Sequence, residues 1–79
     1  MRLNAFIEGL ETLRKYYNDA NGFHIGAEHD QFYAYATDKP MTDDDVALMR
    51  ALDWFQPDAD EDANGEFIYA HDEGWSAFT

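Results

Sequence analysis

Gln31-Phe32-Tyr33-Ala34-Tyr35-Ala36-Thr37 is a strand by composition and by period. Its aromatics suit a pleated surface, and a two-residue repeat sends Phe32, Ala34 and Ala36 to one side and Tyr33 and Tyr35 to the other. Just upstream, residues 23–27 (Phe-His-Ile-Gly-Ala) form another extended run, joined to the first by the short polar connection Glu28-His29-Asp30. Two such runs so closely linked predict a β-hairpin. Asp38-Lys39-Pro40 then breaks the strand.

On the N-terminal side of this hairpin, residues 3–17 carry Leu3, Phe6, Ile7, Leu10, Leu13 and Tyr17 at steps of three and four. That spacing predicts an amphipathic helix with one apolar stripe. Glu11 precedes Arg14 by three residues and Lys15 by four, which adds weak helical support. The Asn18-Asp19-Ala20-Asn21-Gly22 run is turn chemistry and ends the helix. On the C-terminal side, Thr42 followed by Asp43, Asp44 and Asp45 marks a second helix start, a hydroxyl cap with acids at the positive end of the dipole. Val46, Met49 and Leu52 continue as an apolar stripe that stops near Asp53, and Trp54-Phe55 returns the chain to the core. Residues 58–65 read as an acidic loop ending in an Asn-Gly turn, residues 67–70 as a short strand and residues 74–78 as a last extended piece. The expected fold is α+β in the order α-β-β-α-β, a small antiparallel sheet of three to four strands with two helices on one face, in a single acidic domain over residues 1–79.

Charge is distributed unevenly. The chain has 17 Asp and Glu against 5 Lys and Arg, a formal net charge of −12, and every basic residue lies in the first 50 positions. From Ala51 onward, Asp53, Asp58, Asp60, Glu61, Asp62, Glu66, Asp72 and Glu73 meet no Lys or Arg. Such self-repulsion opposes compactness and is not required by a fold, so it points to a cationic partner. The same acidity disfavours direct binding to DNA, RNA or anionic lipid, each of which needs cations against phosphate. Disorder is countered by aromatics, 16% of the chain, spread along its whole length. The absence of cysteine excludes disulfides, thiolate zinc sites and cysteine nucleophiles. With no long apolar run and no signal-peptide layout, a soluble cytoplasmic protein is expected.

Asp60-x-Asp62-x-Asn64-Gly65 matches the first half of a calcium loop, with oxygens at positions one, three and five and glycine at the sharp turn. The second half fails, because the twelfth position holds His71 where a bidentate Glu belongs. The alternative is an acidic loop that turns on Asn-Gly into a strand. His24, His29 and His71 each stand near acids, yet their spacing demands no zinc site, and structural histidine is the simpler reading. Ser76 is the only serine and lacks a nucleophile-elbow context, and no glycine-rich phosphate loop is present. No enzyme activity, no metal and no cofactor are therefore expected.

The stretches His24-Ile25-Gly26-Ala27-Glu28-His29-Asp30, Ala34-Tyr35-Ala36-Thr37-Asp38 and Leu52-Asp53-Trp54-Phe55-Gln56, with the ending Glu73-Gly74-Trp75-Ser76-Ala77-Phe78, resemble small acidic proteins encoded in phages and prophages. A short, acidic, cysteine-free chain is similar in kind to many anti-CRISPR proteins, some of which block type I surveillance complexes by imitating DNA. The resemblance runs over most of the chain and carries no catalytic or binding signature. It implies an inhibitor that occupies the basic nucleic-acid-binding surface of a host complex, such as the Cascade-type subunits of a type I CRISPR system. Asp58, Asp60, Glu61, Asp62, Glu66, Asp72 and Glu73 would carry the mimicry, with Asp43, Asp44, Asp45, Glu28 and Asp30 secondary. Readings from other classes are a calcium module built on the Asp60 loop and an acidic assembly or accessory protein whose charge serves solubility. A homodimer is one way for so small a core to be completed.

Overall fold

The computed structural model describes residues 1–18 and 24–78. The elements follow one another as α1 (Leu3–Arg14), β1 (Ile25–Glu28), β2 (Gln31–Ala34), α2 (Asp43–Ala51), β3 (Asp60–Glu61), β4 (Phe67–Ile68) and β5 (Trp75–Phe78). The order α-β-β-α-β holds, with the last β region divided between a small hairpin and a sheet strand. The turn expected after Asn18 and the strand start expected at Phe23 lie outside the described residues.

β1 and β2 form the expected hairpin, with Gly26 opposite Tyr33 and Ala27 opposite Phe32. Its connection is two residues long, and His29 takes a left-handed φ of 54°, the sign that tight hairpin turns require. β5 then pairs antiparallel with β2, giving the sheet order β1-β2-β5. This pairing puts Phe32 beside Ala77 and Ala34 beside Trp75 on one face, and Tyr33 beside Ser76 on the other. The aromatic alternation thus behaves as its period requires. At Ser76 the outer edge of β5 meets Phe55 through two backbone bonds, Phe55 N–H to Ser76 O at 2.9 Å and Ser76 N–H to Phe55 O at 2.7 Å.

The core lies between the helices and the Phe32/Ala34/Trp75/Ala77 face. It gathers Leu13 and Tyr16 from the α1 end, Val46 and Met49 from α2, and Met41, Trp54 and Trp75. Trp54 stacks on Phe6 at 5.6 Å and meets the ring of Phe32 edge-on at 6.0 Å. Burying an indole removes on the order of 200 Å² from water, about 5 kcal/mol at the usual apolar coefficient. Two tryptophans that are 1% and 0% exposed therefore form a large share of so small a core.

The α1 stripe is rotated from its sequence reading. Leu3 is 71% and Ile7 44% exposed, whereas Gly9, Thr12 and Leu13 are buried. Gly9 causes the shift, because a Cβ there would come within 2.1 Å of Trp54 Nε1, so only a bare backbone lets the indole lie against the helix. Trp54 then donates to the Ala5 carbonyl at 3.3 Å. Buried Thr12 satisfies its hydroxyl on the Glu8 carbonyl within its own helix.

α2 follows its sequence signals more closely. Thr42 caps it by accepting from Asp45 N–H at 3.2 Å, and Asp43, Asp44 and Asp45 occupy the first turn. The helix ends in a Schellman arrangement, with Asp53 N–H on the Arg50 carbonyl and Trp54 N–H on the Met49 carbonyl, both at 3.0 Å. Asp53 occupies the left-handed position, φ 69°, that glycine usually fills. The acidic loop contains an element the sequence reading missed. Asp60 pairs with Ile68 and Glu61 with Phe67, so part of the loop is β3. Asp and Glu have low strand propensity, and the pairing follows instead from the Asn64-Gly65 turn, where Gly65 has φ 79°. No helix among the described residues is long and apolar enough to cross a membrane.

Candidate partner-binding surface

The acids singled out by charge divide into those held by the fold and those left to solvent. Asp45 is held. Its carboxylate pairs with Lys15 at 2.8 Å and accepts from the buried Tyr16 hydroxyl, tying the end of α1 to the first turn of α2. The Lys15 and Tyr16 hydrogen bonds hold its carboxyl below the ordinary range. Asp43 reaches across to His71, a link between α2 and the segment before β5 that neither sequence position announced. Asp44 stays exposed.

Asp62 is also held, by the backbone. Its Oδ1 accepts from Asn64 N–H at 2.8 Å and Glu66 N–H at 3.0 Å, closing the β3–β4 connection. The carboxylate that a calcium loop would turn toward an ion here stabilises a turn. Among the described residues, no group of three or more His, Asp or Glu side chains is arranged to hold a metal ion. His24 instead packs at 5.0 Å from the Tyr17 ring. His29 sits at the tip of the β1–β2 turn.

Asp58, Asp60, Glu61, Glu66, Asp72 and Glu73 are exposed, and among the described residues none lies within ion-pair distance of a Lys or Arg. They are carried by different segments. Asp60 and Glu61 ride on β3 with Glu66 just beyond the turn, so the β3–β4 hairpin is one acidic projection. Asp58 and Glu73 instead border the helix-free face of the main sheet. Glu28 ends β1 and Asp30 lies in the β1–β2 turn, and the Glu28 charge reaches Tyr33.

Tyr33 and Tyr35, which the sequence offers as uncharged interface anchors, share that helix-free face, whereas Trp75, a third such candidate, is 0% exposed and belongs to the core. The two tyrosines stand with ring centroids 5.6 Å apart and planes at 67°. Tyr33 lies over Gly26, where a Cβ would come within 2.4 Å of the ring. The Tyr33 phenol is raised above its ordinary value, chiefly by its neighbour Tyr35, then by desolvation and the Glu28 charge. The Tyr17 hydroxyl donates to the Tyr35 carbonyl and so anchors the end of the strand, and burial pushes the Tyr17 phenol up to about 12. Farther along the face, Phe55 and Phe78 stack at 5.0 Å. Gln56, 4% exposed, exchanges two 2.8 Å hydrogen bonds with the Ala70 backbone, joining the segment beside β5 to the segment after β4. No protein-family model, curated protein or solved structure matches the chain.

Proposed function

We propose that this chain is an inhibitory binding protein of the phage type. It occupies the positively charged nucleic-acid-binding surface of a host defence complex, with a type I CRISPR surveillance complex as the target toward which the resemblance points. The observation that carries this reading is the set of unneutralised carboxylates at Asp58, Asp60, Glu61, Glu66, Asp72 and Glu73, exposed on a folded scaffold and without a cation at ion-pair distance among the described residues. Carboxylates presented in this way resemble duplex phosphates to a Lys/Arg groove, and the association they drive is fast and salt-sensitive. Asp45 and Asp62 are engaged within the fold and contribute less to such a surface, whereas Asp43, its side chain 93% exposed, remains presented to a partner.

The test is the binding of a labelled target duplex to a purified type I surveillance complex, read by gel shift while this protein is titrated in. The expected result is loss of duplex binding, relieved by raising salt and by preincubation with excess DNA. Unchanged duplex binding at low salt, together with no nucleic-acid-binding protein retained from a bacterial lysate, would reject the reading and leave the charge to solubility.

A further inference from the structure

We propose that the helix-free face of the sheet is a docking groove for an extended, arginine-bearing segment of a protein partner. This rests on the reading above and names the contact that gives it specificity. Two concavities meet on this face and share Gln31, Gln56 and Pro57 as a common wall. One, of about 380 Å³, is bordered by Tyr33, Tyr35, Asp58 and Glu73. The other, of about 400 Å³, is bordered by Phe55, Phe67 and Phe78.

The floor between them is held in place. Gln31 Nε2 donates to Ser76 Oγ at 3.3 Å, Ser76 is paired to Phe55 through the backbone, and Gln56 is bonded to Ala70. The walls are open to a partner. Tyr35 is 48%, Phe67 49% and Phe78 57% exposed, a concentration of uncovered rings that interfaces use as anchors.

Charge selects the occupant. Among the described residues, Asp58 and Glu73 are the only formally charged side chains lining either concavity, and both are acidic. A phosphate backbone is repelled there, so the complementary guest is a cationic protein segment. Arginine fits better than lysine, because a planar guanidinium stacks on a ring and also forks onto a carboxylate. The chain already seats one such group, with Arg50 over the ring of Tyr69 at 4.9 Å. An arginine between Tyr33, Tyr35 and Glu73, followed by an apolar side chain among Phe55, Phe67 and Phe78, uses both halves of the groove.

The probe is a fluorescein-labelled octapeptide alternating arginine with leucine, beside a lysine–leucine version, titrated by anisotropy at about 0.15 M salt, where screening beyond ~8 Å suppresses long-range attraction. Wild type should bind the arginine peptide at least threefold more tightly than the lysine one. Tyr35→Ala and Glu73→Lys, both at exposed positions, should each weaken the arginine peptide tenfold or more. Glu8→Lys combined with Glu11→Lys, exposed on α1 and lining neither concavity, should change it less than threefold. Circular dichroism confirms that each variant is folded. Equal weakening by the α1 pair, or no preference for arginine, overturns the groove. The same variants then enter the duplex gel shift. Inhibition kept by Tyr35→Ala and Glu73→Lys rejects the groove while the inhibitor reading stands. Peptide docking without any inhibition by wild type rejects the inhibitor reading and leaves the groove.

Discussion

Replacing Gly9 by alanine tests the packing on which everything else is mounted. In an unpacked helix the change would stabilise by about 1 kcal/mol, since glycine is the weaker helix former. Here the new Cβ would lie 2.1 Å from Trp54 Nε1, 2.3 Å from Cε2 and 2.7 Å from Cζ2, so the indole has to retreat by more than an ångström. It has little room, being 1% exposed and packed on Phe6 and Phe32. Overpacking of this kind costs about 1–3 kcal/mol, and loss of the Trp54–Ala5 hydrogen bond adds about 1 kcal/mol. After subtracting the propensity gain, the net loss is about 1–3 kcal/mol, a fall of roughly 5–20 °C in melting temperature for a domain this size. Urea unfolding followed by tryptophan fluorescence measures it. An alanine variant as stable as wild type, or more so, would refute the packing of Trp54 across α1. It would also remove the support for the neighbouring Phe55–Ser76 bridge that borders the groove.

Asp53→Gly should stabilise by about 0.5–1 kcal/mol, because glycine enters the left-handed helix-terminating position without strain and removes an acid from the negative end of α2. A thermal melt reads the rise. Asp45 has a folded pKa below its unfolded value, so its contribution is full above about pH 4, where the unfolded carboxyl is ionised, and drains away as pH falls through the folded pKa. Asp45→Asn should therefore lower stability at neutral pH and flatten the acid limb of a pH–stability curve, and an unchanged acid limb would count against the Lys15–Tyr16–Asp45 link. Asp62→Ala should remove the two acceptor bonds that close the β3–β4 turn and speed amide exchange at Asn64 and Glu66, with little effect on the main sheet. Calorimetric titration of wild type with millimolar calcium should give no binding heat, and a saturable heat would revive the metal reading of that loop.

Much of the chain's local structure is legible in its residues because the forces involved are local. The alternation of residues 31–37 separates the Tyr33 side of the strand from the Phe32 side before any partner strand is known. Thr42 and the acids after it mark a helix start through capping and dipole effects confined to one turn. Asn64-Gly65 marks a hairpin turn because glycine enters the left-handed region without strain. Net charge, too, is a property of sequence alone, and it directs attention to a cationic partner.

What tertiary structure decided depends on contacts between distant positions. The stripe of α1 could not reveal that Leu3 and Ile7 remain exposed, since the burying face was set by an indole 45 residues away lying against Gly9. Likewise, seventeen similar carboxylates give no sign of which ones find a partner, and only folding brings Lys15 to Asp45 and His71 to Asp43. The groove is the clearest case. Tyr33 and Tyr35 reach Asp58 and Glu73 only after β5 has paired with β2 and residue 55 has bridged to Ser76. Periodicity records which way a side chain points from its own backbone, and which surface it then shares is fixed by the pairing of segments far apart in the chain.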